Sequence, residues 1–294
     1  MFRPDPFQLL FPEMPIPAVG RSAFAHKISH HVSLAEGDHR DLAAILGRNV
    51  RSVRGRDSIL EESARPAEIS IMLEGWACRY KKLGAGRRQI VAIYLPGDVC
   101  DFDVFLTAGL DQSIRATRGA SLAGLGQATL DHIARHMPAI GRGFWWESLA
   151  ASSIQRAWTV NVARRSAAKR LAHLLCELFT RLTAVGLNED WRCALPLTQT
   201  DLGQACGLTS VHTNRTIQEL RMLGLIALDE GMLEILDWEA IQLLADFDPD
   251  YLQLRPCPVP ARDRRYSQLL PQLHSLFMSP AASAGQFADR DQQS

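Results

Sequence analysis

The stretch LPLTQTDLGQACGLTSVHTNRTIQELRMLGLIAL, from Leu195 to Leu228, decides how this chain is interpreted. It predicts two short helices that are joined by a glycine-containing turn and followed by a strand. Thr198 is a capping residue before the first helix, and Gly207 supplies the left-handed conformation of a tight turn. Gly203 is small at a point where a second helix would pack closely. This pattern is typical of a helix-turn-helix.

The second predicted helix is capped by Thr209 or Ser210 and continues as VHTNRTIQELRMLG. In a helix-turn-helix, the first residues of the second helix meet base edges in the DNA major groove, while the first helix crosses the backbone. The helical period predicts one packing side and leaves polar side chains exposed on the others. The packing side consists of Leu208, Thr213, Thr216 (or Ile217) and Leu220.

The exposed residues form the predicted DNA-binding surface. Ser210, Val211, His212 and Arg215 are the candidates for base edges, whereas Thr198, Gln199, Thr200 and Asn214 are expected at phosphates or the periphery, and the cap Thr209 completes the set. A bidentate guanidinium on guanine is worth about 1–3 kcal/mol of discrimination. The spacing alone is also compatible with a helical hairpin in a core. The alternative function is a ligand-sensing or protein-interaction module whose winged helix contacts protein.

Two neighbouring features favour DNA. The segment LIALDEGMLEILD predicts a β-hairpin that turns at Glu230-Gly231, which is the wing of a winged helix-turn-helix. Between Arg164 and Gly224 there are eight basic and five acidic residues, a surplus of three. A local basic excess is mild support for a surface that faces phosphates.

The overall composition is that of a folded protein and excludes little else. The chain has 294 residues, of which 47% are apolar and 22% charged, so two ordinary domains fit. The 32 Lys and Arg residues balance the 32 Asp and Glu residues, and the net charge therefore gives no hint of nucleic acid. None of the six cysteines forms a CxxC pair, which argues against zinc and iron–sulfur sites.

No enzyme motif or membrane segment is recognisable. A GxSxG elbow, a Walker loop, an HExxH pair and a dinucleotide fingerprint are all missing from the sequence, so we expect no catalytic residues and no enzyme activity. The N-terminal MFRPDPFQLLFPEMP is broken by prolines and lacks the apolar core of a signal peptide. No run is long enough to span a bilayer, and we expect a cytoplasmic protein without membrane contact.

The first half of the chain changes from helical to strand periodicity. Residues from Phe24 to Leu46 predict helix with a break at Gly37-Asp38, and short strands then follow between Val50 and Gly126. Turns are expected at Glu74-Gly75 and at two further glycine-containing sites, Gly84-Ala85-Gly86 and Pro96-Gly97-Asp98. Many short antiparallel strands at this spacing favour a small β-barrel or jelly roll.

The period then becomes helical again. A short helix is predicted from Thr129 to His136, and Pro138 opens a helix that runs to about Ala163. The apolar residues of this long helix cover more than one face, which favours dimerisation through it. Ser166 caps a further, leucine-rich helix that ends at Gly186.

These segments predict an α+β chain with five parts. They are an irregular N-terminal arm (1–23), a β-barrel or jelly roll (24–127), a dimerisation helix region (128–165), a winged helix-turn-helix (166–247) and a partly disordered C-terminal tail (248–294).

The sequence resembles the Crp/Fnr family of bacterial transcription regulators from about Phe24 to Phe247. The resemblance lies in the order of the domains and in LPLTQTDLGQACGLTSVHTNRTIQELR, the barrel turn LPGDVCDF and the helices WWESL and RRSAAKRLAHLLCEL. It implies that the barrel at 24–127 is a cyclic-nucleotide-binding-like sensor β-barrel, on which an effector repositions the helices. It also implies a homodimer on palindromic promoter DNA and RNA polymerase as a partner.

The chain departs from this family at its known ligand sites. The glutamate that contacts the ribose of cAMP falls on Phe102, and the arginine that contacts the cyclic phosphate falls on Gln112. Arg115, on the same strand face as Ser113, is a weak substitute for that arginine. The N-terminal cysteine cluster of Fnr proteins is missing, since the first cysteine is Cys78. Neither cAMP nor an iron–sulfur cluster is implied, and the effector is unknown or does not exist.

Histidines and tryptophans leave other ligands to consider. His26, His30, His31 and His39, or the pair His132 and His136, could form a metal site, but they lack carboxylate or cysteine companions at ligand spacing. Trp145 and Trp146 could stack on a planar group such as haem, or anchor the core of the dimer helix. In each case we favour a structural role of these side chains over a ligand site, and we expect no metal and no cofactor.

Overall fold

The region from Val50 to Gly126 forms an antiparallel sheet, which we call the sensor sheet after its predicted role. The computed structural model describes residues 18–102, 105 and 109–254. The strands of the sheet are β1 (Val50–Val53), β2 (Ser58–Leu60), β3 (Glu68–Lys82), β4 (Arg88–Tyr94) and β5 (Ser113–Gly126). Their order is β1-β5-β3-β4, and β2 pairs with β5. The predicted antiparallel β-fold of this region is therefore confirmed.

The prediction of a turn at Glu74-Gly75 is wrong. β3 runs through both residues, with register shifts against β5 on either side of them. Gly75 has a φ of 75°, and a Cβ atom there would lie 2.0 Å from the carbonyl oxygen of Gly119. The glycine therefore forms a bulge at which two long strands cross closely, because no other residue fits that space. The two other predicted turns lie where expected, between β3 and β4 and directly after β4.

Two helices precede the sheet, α1 (Ala18–Ser29) and α2 (Glu36–Leu46). The break between them covers residues 30–35, so its predicted position at Gly37-Asp38 is wrong. Asp38 lies in the first turn of α2, where its Oδ2 accepts a hydrogen bond of 2.8 Å from the backbone N–H of Ala35. Asp38, which suggested a break in the helix, instead stabilises the start of α2. Helix α1 also includes the end of the predicted arm, whose residues before 18 lie outside the described part.

Three helices connect the two halves of the chain. They are α3 (Gln127–His136), α4 (Pro138–Arg164) and α5 (Ala167–Ala184). Pro138 lies in the first turn of α4, Ser166 is at the N-cap of α5, and Gly186 has a φ of 71° just after α5. All three positions match the sequence prediction. With 27 residues, α4 is about 40 Å long.

Residues 192–245 form a winged helix. Its elements are β6 (Arg192–Ala194), α6 (Gln199–Cys206), α7 (Ser210–Met222), β7 (Ile226–Asp229), β8 (Met232–Ile235) and α8 (Trp238–Ala245). The strand order is β6-β8-β7. Glu230 and Gly231, with φ values of 45° and 81°, form the predicted turn of the wing. Sequence patterns missed β6, which is only three residues long.

Residues 249–252 pack onto α5, although the sequence places them in the tail. They form a short 3₁₀ turn in which Leu252 is buried. The hydroxyl of Tyr251 donates a hydrogen bond of 2.8 Å to Glu177 on α5. The predicted tail from residue 255 onward lies outside the described residues, and the domain boundaries remain predictions.

The sensor sheet and the winged helix share one hydrophobic core. Trp76, Tyr80 and Ile93 of the sheet belong to the same buried cluster as Leu174 of α5 and Leu202 of α6. Because this core is continuous, the winged helix is docked directly against the sheet of its own chain. Among the described residues, no helix combines the length and apolar character that crossing a membrane requires.

Candidate nucleic-acid interface

The first helix of the motif, α6, is held at its start by a reciprocal cap. The Oγ1 of Thr198 accepts a hydrogen bond of 3.1 Å from the backbone N–H of Asp201. The backbone N–H of Thr198 donates in return to Oδ2 of Asp201 at 3.0 Å. Two N–H groups that a helix start leaves free are satisfied in this way. The predicted capping role of Thr198 is therefore confirmed.

The turn between α6 and α7 depends on two glycines. Gly207 has a φ of 65°, as the sequence predicts. Gly203 lies where α6 meets the start of α7, and a Cβ atom there would be 2.7 Å from Oγ1 of Thr213 and 2.9 Å from the backbone oxygen of Leu208. Any side chain at Gly203 would push the two helices apart. The angle between α6 and α7 is therefore fixed by contact.

The buried side of α7 is formed by Thr213, Thr216, Ile217 and Leu220, as the helical period predicts. Thr213 is polar at a packing position. Its hydroxyl donates a hydrogen bond of 2.9 Å to the backbone oxygen of Thr209, so it is buried without an unsatisfied donor. Leu208 is only partly buried and lies at the edge of this core.

All nine residues of the predicted DNA-binding surface are exposed. They are Thr198, Gln199, Thr200, Thr209, Ser210, Val211, His212, Asn214 and Arg215. Among them, Val211 has 80% of its surface exposed. The structure brings the set together on one side of the motif through the start of α6 and the first half of α7. An exposed apolar residue beside polar ones suits the methyl groups and edges of bases.

Two hydrogen bonds order this surface. The amide nitrogen of Asn214 donates to Oε1 of Gln199 at 2.9 Å, which links α7 to α6. The Nε atom of Arg215 lies 3.0 Å from Oε1 of Glu219, one turn further along α7. The side chain of Arg215 is 80% exposed, and such an exposed pair is weak. The guanidinium can therefore exchange Glu219 for a stronger acceptor.

Sequence reasoning missed how α6 is attached to the sensor sheet. The Nη2 atom of Arg115 on β5 lies 2.5 Å from Oδ1 of Asp201. The side-chain amide of Gln89 on β4 donates a hydrogen bond of 2.6 Å to the backbone oxygen of Gln204. Arg115, considered above as a substitute phosphate ligand, therefore has a carboxylate partner in the winged helix. No local pattern reveals this pair, because 86 residues separate its members.

A buried charge cluster lies where the sheet, α1, α4 and α5 meet. We define it as Lys27, Asp98, Glu147, Glu177 and Arg181. Asp98 bonds Lys27 through Oδ1 and Arg181 through Oδ2, each at 2.5 Å. Lys27 also bonds Glu147, and Arg181 lies 3.2 Å from Glu177. Burial alone would raise the pKa of Asp98, but Arg181 and Lys27 hold that pKa below its ordinary value.

A cavity of about 610 Å³ lies beside this cluster, between β4, the loop after it and α4. Phe102 and Gln112, the positions that depart from the cAMP-binding pattern, both line it. Of the basic residues in its wall, Lys27 and Arg181 are held by the charge cluster. The third, Arg79, donates to the backbone oxygen of Cys100 at 2.7 Å and lies 3.4 Å from Asp101. Among the residues that the structure describes, the wall therefore offers an anion only cations that already have acidic or carbonyl partners.

The other ligand hypotheses gain little from the structure. In the part of the chain that it describes, no group of three or more His, Cys, Asp or Glu side chains could hold a metal ion. Trp146 stacks on His31 with ring centroids 4.2 Å apart, whereas Trp145 is 70% exposed. The two tryptophans thus have different surroundings and do not form one stacking platform.

Comparisons with known proteins agree with this geometry. Residues 169–244 match the family described as a Crp-like helix-turn-helix domain. The nitrogen fixation regulation protein FixK of Bradyrhizobium diazoefficiens is 30% identical over 200 residues, which cover 68% of this chain and 83% of FixK. This chain belongs to the Crp/Fnr family of transcription regulators.

Two further proteins are similar to the regulator over most of their own length. The transcriptional activator protein FnrL of Cereibacter sphaeroides is 24% identical over 227 residues, which cover 76% of the regulator and 90% of FnrL. The structure of FixK2 from Bradyrhizobium japonicum matches with a TM-score of 0.59 at 23% identity, over 66% of the regulator and 96% of that chain. At this identity the structural match shows the fold alone.

The regulator is thus a DNA-binding transcription regulator of the Crp/Fnr type. Proteins of this type bind DNA, typically as dimers. The relatives named above are transcription regulators rather than enzymes. A winged helix that contacts protein instead of DNA is not favoured.

Proposed function

We propose that the regulator binds palindromic promoter DNA as a homodimer and reads each half-site with α7. The observation that carries this proposal is the exposure of all nine candidate residues on one side of the helix-turn-helix. Base edges are contacted by Ser210, Val211, His212 and Arg215. The start of α6, from Thr198 to Thr200, and Asn214 contact phosphates or the periphery. In this arrangement the N-terminal half of α7 enters the major groove.

Arg215 is the residue that we expect to discriminate most between bases. The Arg215→Ala variant should lose about 1–3 kcal/mol of preference for its selected site over a site with one changed guanine. Binding to unrelated DNA should fall much less, because the other contacts remain. Competition titrations with the two duplexes measure the difference. Arg192→Ala is the matched control, since Arg192 is an exposed arginine on β6 and lies outside the proposed surface. An unchanged preference in Arg215→Ala would contradict the assignment.

Dimerisation is proposed to use the exposed face of α4. Trp145, Leu149 and Val160 are 70%, 57% and 51% exposed on this helix, and their spacing places them on one side. Large apolar side chains in one strip are typical of a surface that a partner covers. A second copy of α4 would bury this strip in a helix pair.

The Leu149→Asp variant should therefore shift the protein from dimer to monomer and weaken binding to a palindromic site by at least about tenfold. Light scattering measures the mass, and a DNA titration measures the affinity. Leu243→Asp is the control, because Leu243 is an equally exposed leucine, 57%, on α8. A Leu149→Asp protein that stays dimeric would exclude α4 as the interface.

Two further partners are proposed, a small-molecule effector and RNA polymerase. An effector, if the regulator uses one, would occupy the cavity between β4 and α4, since Phe102 and Gln112 line it. Cyclic AMP does not suit this wall, because its cations already have partners. On a promoter, the dimer would act by contact with RNA polymerase in the cytoplasm, as the family resemblance implies.

A further inference from the structure

Arg115 belongs to the sensor sheet but contacts the helix-turn-helix. Its guanidinium is 2.5 Å from Oδ1 of Asp201, and the two side chains are only 14% and 8% exposed. A buried ion pair depends on good geometry, because either partner alone would be a desolvated charge. Gln89 adds a second polar contact through the backbone oxygen of Gln204. We define these two contacts as the α6 dock.

Asp201 performs two tasks with its two oxygens. Oδ2 accepts from the backbone N–H of Thr198 at 3.0 Å and from the hydroxyl of Thr198 at 2.7 Å, which closes the first turn of α6. Oδ1 receives Arg115. The carboxylate therefore connects the start of α6 directly to β5. If β5 moves, it either moves α6 with it or breaks the ion pair.

The orientation of α6 is passed on to α7. Gly203 leaves no space between the helices, since its missing Cβ would contact both Thr213 and the backbone of Leu208. The two helices thus move as one body, and the α6 dock holds that body against the sheet. Gln112, which directly precedes β5, lines the cavity beside α4. One strand therefore adjoins both the cavity and the dock.

We propose that Arg115 is a positioning residue for DNA binding. It holds each helix-turn-helix in one orientation on its sensor sheet and thereby sets the distance and angle between the two α7 helices of the dimer. This inference rests on the proposed function, because the orientation matters only where two helices must fit two half-sites. If the two helix-turn-helix motifs of the dimer are loosely held, they have to be ordered on binding. The affinity that the dimer gains from the second half-site then falls.

The test compares two duplexes, a palindrome selected by the wild-type protein from a random pool and the same duplex with one half-site scrambled. The proteins are the wild type, Arg115→Met, and Arg115→Met combined with Asp201→Asn. The double variant removes the carboxylate that the first change leaves unpaired, while the asparagine oxygen keeps the cap on Thr198. Arg118→Met is the matched control, because Arg118 is an exposed arginine on the same strand. Thermal unfolding is recorded for each protein.

Both Arg115 variants should bind the palindrome about tenfold more weakly, which is a coupling of the usual size between sites. Their affinity for the half-site should stay within about twofold of the wild type. Arg115→Met should unfold at a lower temperature, and the double variant should recover part of that loss without regaining palindrome affinity.

Three results would overturn the inference: unchanged or increased palindrome affinity, an equal loss on both duplexes, or palindrome affinity that returns with stability in the double variant. A wild-type protein that binds both duplexes equally would overturn the proposed homodimer function, and the inference with it.

Discussion

The Arg181→Met variant should lose about 3–5 kcal/mol of the free energy of unfolding, the usual cost of leaving buried charges without their partner. Arg181 lies 2.5 Å from Asp98 and 3.2 Å from Glu177, and its side chain is 8% exposed. It also donates a hydrogen bond of 3.0 Å to the backbone oxygen of Ile93 on β4. Without it, Lys27 would be the one cation left beside Asp98 and Glu147, and Glu177 would lose the cation that it pairs with.

The loss in Arg181→Met should depend on pH in a defined direction. In the wild type, the pKa of Asp98 is below its ordinary value, so its contribution is present at neutral pH and is lost as the pH falls through the folded-state pKa. The variant raises that pKa, because burial then dominates. The difference between the two proteins should therefore be largest at neutral pH and shrink on acidification.

Denaturant titrations at several pH values measure this difference. Arg192→Met is the control, since Arg192 is 57% exposed and lies 3.8 Å from Glu234. Exposed pairs contribute at most about 1 kcal/mol, so this control should be nearly neutral. A loss below about 1 kcal/mol in Arg181→Met would mean that the charge cluster does not hold the sheet and α5 together.

The Gly203→Val variant should disrupt the helix-turn-helix and abolish measurable site-specific binding. Its Cβ would be 2.7 Å from Oγ1 of Thr213 and 2.9 Å from the backbone oxygen of Leu208, and a backbone atom cannot move aside cheaply. Overpacking of this kind costs about 1–3 kcal/mol, and here it also changes the angle between α6 and α7. The three atoms nearest to the added Cβ all belong to Thr213 and Leu208, so the sensor sheet should stay folded.

Gly37→Val provides the comparison for Gly203→Val. Gly37 also lies in a helix, but no atom is within 4 Å of its added Cβ. This variant should therefore bind DNA like the wild type. Hydrogen exchange resolved along the chain would show where Gly203→Val loses protection. Normal site-specific affinity in Gly203→Val would contradict the tight helix contact.

The elements that local chemistry determines were predictable from sequence. The cap at Thr198, the left-handed Gly207 and the wing turn at Glu230-Gly231 each follow from one or two residues. The period of α4 is long enough to give its bounds to within a residue. These are also the features that position the nine candidate DNA-binding residues, which is why the sequence alone could propose this surface.

The features that long-range contacts determine were not predictable. Gly75 has the composition of a turn, and only the crossing of β3 over Gly119 makes it a bulge. Asp98 belongs to a recognisable turn, yet its partners Lys27 and Arg181 lie 71 and 83 residues away. Arg115 and Asp201 are likewise distant in sequence. The proposed coupling between the sensor sheet and the helix-turn-helix depends on such pairs, and the structure is needed to find them.

We propose that a dimer of this chain reads DNA through α7. Selection of bound duplexes from a random pool by the purified protein tests it most directly. We predict enrichment of inverted repeats whose half-sites are about one helical turn apart, with binding that weakens steeply as salt rises. A pool that shows no enrichment even at low salt, or enriched sites without twofold symmetry, would contradict the account.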